Sequence, residues 1–316
     1  MDIRKAYANF ATDEQCLAYI EQMRWPDGVV RCTLCGSKEV KRVERKTATK
    51  NKRGWFYLCL EKTCHNQFSP TAGTIFHDTH LPLIVWFQAI ALMLNAKKGI
   101  SAKQMQRDLG IGGYKTAWYL NHRIREAMNQ GDIPKLGGTV EIDETYVGGK
   151  QKGKGVWYGK HQKKTVIGMK QRNGSLKLFH TADAKAKSVR PLVEQHVDAE
   201  KVDAVMTDEF TVYPIVFKGT MLEEKHHTIQ HKERKYVVGI THTSGIESAF
   251  SLLKRGIIGN FHKVSIKHMQ RYLDEFSYRF NRRNDDNAFI ETVRRLCGFK
   301  PLPFATLTSD GPEVPF

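Results

Sequence analysis

Apolar side chains recur at helical spacing through the first 27 residues, where Tyr7, Phe10, Leu17, Ile20 and Met23 form one stripe and Pro26 closes the segment. Residues 28–72 change character, with strand-like pieces at Val40–Val43 and Trp55–Leu58. Residues 82–95 form a strongly apolar helix, the pattern of a core element. Lys97-Lys98-Gly99 interrupts the chain, and Ser101 is placed to cap a second helix that runs to Leu109. The turn Gly110-Ile111-Gly112-Gly113 leads into a third helix, Tyr114–Met128.

A linker spans 131–138, and from Thr139 the period shortens to that of strands. Strands are expected at Val140–Val147, Thr165–Met169, Leu176–His180 and Val202–Thr207, with a helix at Ala186–Val197 between the last two. This is a mixed sheet followed by helices. From Ile246 to Leu296 the reading is mainly helical, and the Pro-rich tail, 297–316, is expected to be loose.

With 316 residues the chain is long enough for two or three domains. It has 50 Lys+Arg against 33 Asp+Glu, a net charge of +17, which points to a polyanionic partner. The longest apolar stretch, Leu81–Leu94, is broken by Pro82 and Gln88 and falls short of the ~20 residues that span a bilayer. The start, Met-Asp-Ile-Arg-Lys-Ala-Tyr, lacks the apolar core of a signal peptide. A soluble, cytoplasmic, nucleoid-associated protein without a membrane partner is expected.

Two of the six cysteines, Cys16 and Cys297, stand alone. The other four pair as Cys32-x-x-Cys35 and Cys59-x₄-Cys64, spacing that suits a closed tetrahedral Zn²⁺ site and hence a structural zinc. His65 offers a substitute ligand, and four unmetallated thiols are the plain alternative. Ile100–Met128 reads as a helix-turn-helix, with Lys115, Arg123 and Arg125 on its basic second helix facing DNA. A packing pair of helices is the alternative. The loop Gly149–Lys164 carries Lys150, Lys152 and Lys154 among glycines, placed to hold phosphates.

Three carboxylates carry the chemistry. Asp143 and Asp208 close β-branched runs, and Glu247 opens an amphipathic helix. Carboxylates from two strand ends and a helix can converge on a pair of Mg²⁺ (or Mn²⁺) ions that clamp the attacking and leaving oxygens of a phosphodiester. On a basic chain this points to DNA strand cleavage and rejoining. Glu144 and Glu209 follow the two aspartates directly and are expected to face away, because strand neighbours alternate. Lys254 lies seven residues after Glu247, two helical turns on the same face, and Arg255 adds a second charge beside it. His226, His227, His231 and His242 cluster nearby; for the first two an ordinary loop role is preferred.

These blocks, in order, closely resemble a bacterial insertion-sequence transposase of the zinc-ribbon DDE group, related to the Merlin superfamily. The resemblance runs over roughly residues 12–285. It rests on Cys32-x-x-Cys35-Gly36, Gln67-Phe68-Ser69 through Gly73-Thr74-Ile75-Phe76, Lys98-Gly99-Ile100-Ser101, and Lys115-Thr116-Ala117-Trp118 through Arg123-Ile124-Arg125. It continues with Glu141-Ile-Asp-Glu-Thr-Tyr-Val-Gly-Gly149, Thr207-Asp208-Glu209, and Ile246-Glu247-Ser248 with Leu253-Lys254-Arg255-Gly256. It implies an α/β, RNase H-like catalytic domain over 139–296 with Asp143, Asp208 and Glu247 as its metal-binding triad. It implies a zinc ribbon over 28–72 and a helix-turn-helix region over 73–130 that recognise terminal inverted repeats. The expected activity is cut-and-paste transposition on double-stranded DNA, transposon ends and target alike, by a dimer or larger homo-oligomer. Members of the group often carry Asn just before the Ile-Glu, where this chain has Ser244-Gly245, and the second cysteine pair is more widely spaced. The rival readings are a catalytically silent DNA-binding protein of transposase descent and a nuclease without strand transfer.

Overall fold

The computed structural model describes residues 3–45, 53–131, 133–148, 164–229 and 243–309. The chain forms two compact units, one of residues 1–128 with 283–316 and one of residues 129–282.

The first unit opens with two helices, α1 (Ile3–Asn9) and α2 (Asp13–Arg24), where the apolar stripe predicts one. The break falls at Thr12, whose hydroxyl accepts from the Gln15 N–H while the Gln15 side chain accepts from the Thr12 N–H. Such a reciprocal cap satisfies first-turn donors, so a new helix start is favoured there. A small antiparallel sheet follows, made of β1 (Val40–Glu44), β2 (Trp55–Cys59) and β3 (Gln67–Phe68) in that order. Along β2, Trp55, Tyr57 and Cys59 are buried, and Trp25 and Phe68 pack around Tyr57. Helix α3 (Leu83–Asn95) is buried along most of its length. Ser101 caps α4 (Ala102–Asp108) by accepting from the Gln104 N–H at 3.1 Å, as the sequence predicts, and α5 (Tyr114–Glu126) follows the glycine turn.

The second unit is built on a five-stranded sheet in the order β6-β5-β4-β7-β8. Its strands are β4 (Leu136–Val147), β5 (Lys164–Gln171), β6 (Leu176–Thr181), β7 (Val197–Thr207) and β8 (His226–Thr228). β4 starts inside the expected linker. β5 runs antiparallel to β4 and β6, while β7 pairs parallel with both β4 and β8. Val140 and Ile142 on one face of β4 join Val189, Val193, Tyr213 and Phe217 from helices α6 (Ala186–His196) and α7 (Val212–Phe217). Val147 on the opposite face joins Ile246, Phe250, Leu253, Leu273 and Phe276 from α8 (Ser244–Gly256) and α9 (Met269–Asn281). Helices therefore cover both faces of the sheet, which fixes β4 as the most enclosed strand.

The chain then returns to the first unit as α10 (Ala288–Gly298) and α11 (Phe304–Thr308). Phe289 stacks on Phe10 at 5.6 Å and meets Phe87 edge-on at 5.8 Å. That aromatic cluster explains why the division falls at 282/283 rather than at 296, while Phe304 of α11, packed edge-on against Trp118 and Tyr119 at 6.3 and 5.3 Å, anchors residues 304–308 as a helix. Among the described residues, no helix is long and apolar enough to cross a membrane.

Candidate active site

Asp143 lies late in β4 and Asp208 follows the last residue of β7. The β4–β7 pairing stops at Glu141–Met206, so continuing that register sets Asp143 beside Asp208. One carboxylate oxygen from each of Asp143, Glu144 and Asp208 lies within 4.8 Å of the other two. Glu144 is the residue the alternation argument turned away. It does leave β4 on the opposite face, where the Tyr213 hydroxyl donates to its Oε2 at 2.8 Å. The β4–β7 pairing has ended by this point, and a Glu144 carboxylate oxygen still comes within 4.8 Å of both aspartates. Glu209 is exposed and stays outside the group.

Glu247 sits in the first turn of α8, exposed, and its Oε1 accepts from the Thr243 hydroxyl at 2.9 Å. It is not one of the three converging groups, yet its charge helps to raise the Asp143 carboxyl. Burial is the main cause of that rise; with Glu144 and Asp208 adding repulsion, Asp143 is pushed up from 3.8 to about 7. Burial also raises Glu144, against the hydrogen bond from Tyr213. A cluster that strains to stay ionised favours a bound cation, and all-oxygen donors suit a hard divalent ion.

The sign of the pH effect follows. Between about pH 4 and 7 the folded protein holds a proton on Asp143 that the unfolded chain has lost, so metal-free stability falls as pH rises through that window. Mn²⁺ is therefore expected to raise the melting temperature strongly at pH 8 and little at pH 5, as read by differential scanning fluorimetry. Equal shifts at both pH values would contradict the coupling.

Lys254 and Arg255 are exposed on α8, with Lys254 two turns from Glu247. Lys150, Lys152 and Lys154, with His231 and His242, lie outside the described residues. His226 is on β8, its Nε2 2.8 Å from the Thr207 hydroxyl, so it braces the strand that delivers Asp208.

The zinc-type cluster is compact. Cys32, Cys35, Cys59 and Cys64 place their sulfurs within 4.8 Å of one another, with Cys32–Cys64 and Cys35–Cys59 both at 3.7 Å. A tetrahedron with Zn–S near 2.3 Å has sulfur–sulfur edges of about 3.8 Å, so the four thiols fit that ion. The wider second pair closes because His65 takes a left-handed conformation (φ 47°), the role Gly36 plays (φ 76°) after the first pair. Cys64, not His65, completes the set.

Two of the residues expected to contact DNA are buried. Arg123 and Arg125 are 5% and 2% exposed. An Arg123 Nη donates to the carbonyls of Ile75 and His77, and the guanidinium lies 4.7 Å from the Trp86 ring and 5.2 Å from that of Tyr119. Its carbonyl partners and the Trp86 ring come from segments distant in sequence, which helical periodicity cannot register. Lys115, by contrast, is exposed in the first turn of α5 beside exposed Tyr114, its Nζ 4.3 Å from the Phe304 ring. Arg123→Met is expected to cost about 3 kcal/mol, two charge-assisted bonds at about 1.5 each. Lys115→Ala, which loses only an exposed contact with the Phe304 ring, should move the urea midpoint far less than Arg123→Met and lower the salt slope of DNA binding by about 1. The reverse pattern would restore Arg123 as a DNA contact.

Comparison with known proteins agrees with both centres. Residues 135–281 match the ISXO2-like transposase domain, and residues 11–67 match the transposase zinc-ribbon domain. The fold and its two clusters thus define a transposase-type protein with a DDE domain and a zinc-ribbon domain. More narrowly, both matched domains are those of IS1595-type insertion-sequence transposases, which the chain resembles over these two segments. A Halobacterium salinarum protein, described as an uncharacterized protein in transposable element ISH50, is 26% identical over 287 residues, spanning 85% of this chain and 91% of its own.

Proposed function

We propose that this protein is a DNA transposase that binds the terminal inverted repeats of its element, cuts there and joins the freed ends to target DNA. The observation that carries the reading is the convergence of Asp143, Glu144 and Asp208 at adjacent strand ends, with Glu247 at the start of a flanking helix. The order β6-β5-β4-β7-β8 with β5 reversed supports an RNase H-like assignment for 129–282.

Asp143, Asp208 and Glu247 would hold two divalent ions, Mg²⁺ or Mn²⁺, with Glu144 a fourth carboxylate close enough to share them. Bound there, such ions supply charge neutralisation at the phosphodiester and a more acidic water. The chain's own groups do the rest. Tyr213 holds Glu144 in place, and the Phe210 N–H, donating to Asp208 Oδ1 at 3.0 Å, orients Asp208. Lys254 and Arg255 on α8 would pair with phosphates beside the reacting one, and Lys150, Lys152 and Lys154 would add to that track.

A helix-turn-helix reading of α4 and α5 rests on the capped first helix, the glycine turn and the exposed start of α5. It would present Tyr114 and Lys115 to a groove, the N-terminal end of a recognition helix being the part that meets bases. The ribbon, stapled by a structural Zn²⁺ on its four thiols, would serve as a second DNA-binding module. Acting on two ends at once calls for at least two copies of the chain.

The test is to incubate the protein with duplexes carrying the repeats that border its gene. Nicks confined to the repeat end, formed with Mg²⁺ and absent in EDTA, are expected. Cleavage spread evenly over unrelated duplexes would replace the transposase with a general nuclease.

A further inference from the structure

β4 carries a second acid on the face of Asp143, two residues earlier, and the sequence motif gives it no task. Glu141 is 1% exposed, and a buried carboxylate is costly unless its charge is met. It is met twice. Arg172 Nε donates to Oε1 at 3.0 Å, and the backbone N–H of Ile246 donates to Oε2 at 2.8 Å. Ile246 directly precedes Glu247 in the first turn of α8. First-turn N–H groups lack partners within their own helix and form its positive end, so a carboxylate there holds the helix start strongly.

Two glycines shape the seat. A Cβ on Gly245 would stand 2.6 Å from Glu141 Oε2 and 3.2 Å from Oε1, so a side chain at 245 would displace the carboxylate. Gly168 pairs with Asp143 across β4 and β5, and a Cβ there would meet Ile246 Cδ1 and the Phe250 ring at 2.7 Å. Helix α8 therefore lies against bare backbone opposite Asp143, with Glu141 fixing its first turn. The glycine at 245 leaves the room that the Glu141 carboxylate occupies.

We propose that Glu141 is the positioning residue for the third carboxylate: by fixing the first turn of α8 it sets the point from which Glu247 reaches Asp143 and Asp208. This rests on reading those carboxylates as a divalent-cation site. A purely structural Glu141–Arg172 pair would stabilise the unit without touching that site, so the two roles part experimentally.

The experiment is Mn²⁺ titration of the full chain without DNA, following free Mn²⁺ by electron paramagnetic resonance. The proteins compared are wild type, Asp143→Asn, Glu247→Gln, Gly245→Ala and Glu141→Gln. Glu141→Gln keeps the volume but turns an NH2 donor toward one of the two donors, Arg172 Nε or the Ile246 N–H, which face different carboxylate oxygens. Gly245→Ala and Glu141→Gln are expected to weaken Mn²⁺ about as much as Glu247→Gln does, roughly tenfold, the range seen when groups behind a metal ligand are changed. In cleavage assays they should raise the Mg²⁺ needed for half-maximal rate and leave the KM for DNA unchanged. Wild-type Mn²⁺ affinity in the folded Gly245→Ala or Glu141→Gln protein, beside weakened binding in Glu247→Gln, would overturn the proposal and leave the cation site standing. If Gly245→Ala does not fold, Glu141→Gln decides alone. Unchanged binding in Asp143→Asn would remove the cation site itself, and this proposal with it.

Discussion

Asp208→Ala is expected to lower end cleavage by about a thousandfold, the rate equivalent of about 4 kcal/mol, while end binding stays within about twofold. Asp208 is half-buried beside Asp143, its Oδ1 fixed by the Phe210 N–H, so its loss removes one of three converging oxygens without exposing core. Removing a negative group should also relieve Asp143, which Asp208 helps to raise. The folded state is thus expected to keep or slightly gain melting temperature as chemistry disappears. Single-turnover cleavage of end-labelled repeats in Mg²⁺, with a parallel binding titration, measures both. A mutant that still cuts at the wild-type rate would take Asp208 out of the site.

Cys59→Ser is expected to abolish ordered structure around the ribbon. Cys59 is fully buried, and the segment offers few apolar residues beyond Trp25, Trp55, Tyr57 and Phe68. A structural zinc in so small a unit supplies on the order of 10–16 kcal/mol of apparent binding energy, which is folding energy for that unit. The zinc content should fall from one per chain to none, and amide protection along β1 and β2 should vanish. End recognition is expected to weaken far more than cleavage of ends already bound. Equal loss of both would make the ribbon part of the catalytic core. Zinc-free protein that binds the repeats as wild type does would dismiss the ribbon from recognition.

What could be read from the chain, and what could not, divides along the range of the interactions. The four cysteines, the Ser101 cap and the strands ending near Asp143 and Asp208 are local patterns, and the structure places them as the pattern predicts. Glu144 shows where alternation stops short: it names the face a side chain leaves from, not how far a flexible carboxylate reaches. Arg123 shows the other limit. A guanidinium on a helix reads as solvent-facing until Trp86 and two carbonyls more than forty residues upstream close over it. The capture of α10 by Phe10 and Phe87 and the seating of Phe304 against Trp118 and Tyr119 are likewise long-range, which is why the Pro-rich C-terminal segment gave no sign of the short helix at 304–308. Glu141 carried a signal that was available: an acid at an inward position of an apolar strand needs a partner, and Arg172 and the start of α8 provide it.

The proposed function requires one set of carboxylates both to cut an element's ends and to join them to new DNA. Its most direct test is a strand-transfer assay using the DNA that borders the gene, in Mg²⁺ and in Mn²⁺, comparing wild type with Asp208→Ala. Joined end–target products are expected from wild type alone, with both proteins shifting the end DNA in gels. Ends bound by both proteins but neither cut nor joined with either metal would contradict it, and would leave a DNA-binding protein that has kept the carboxylates without their chemistry.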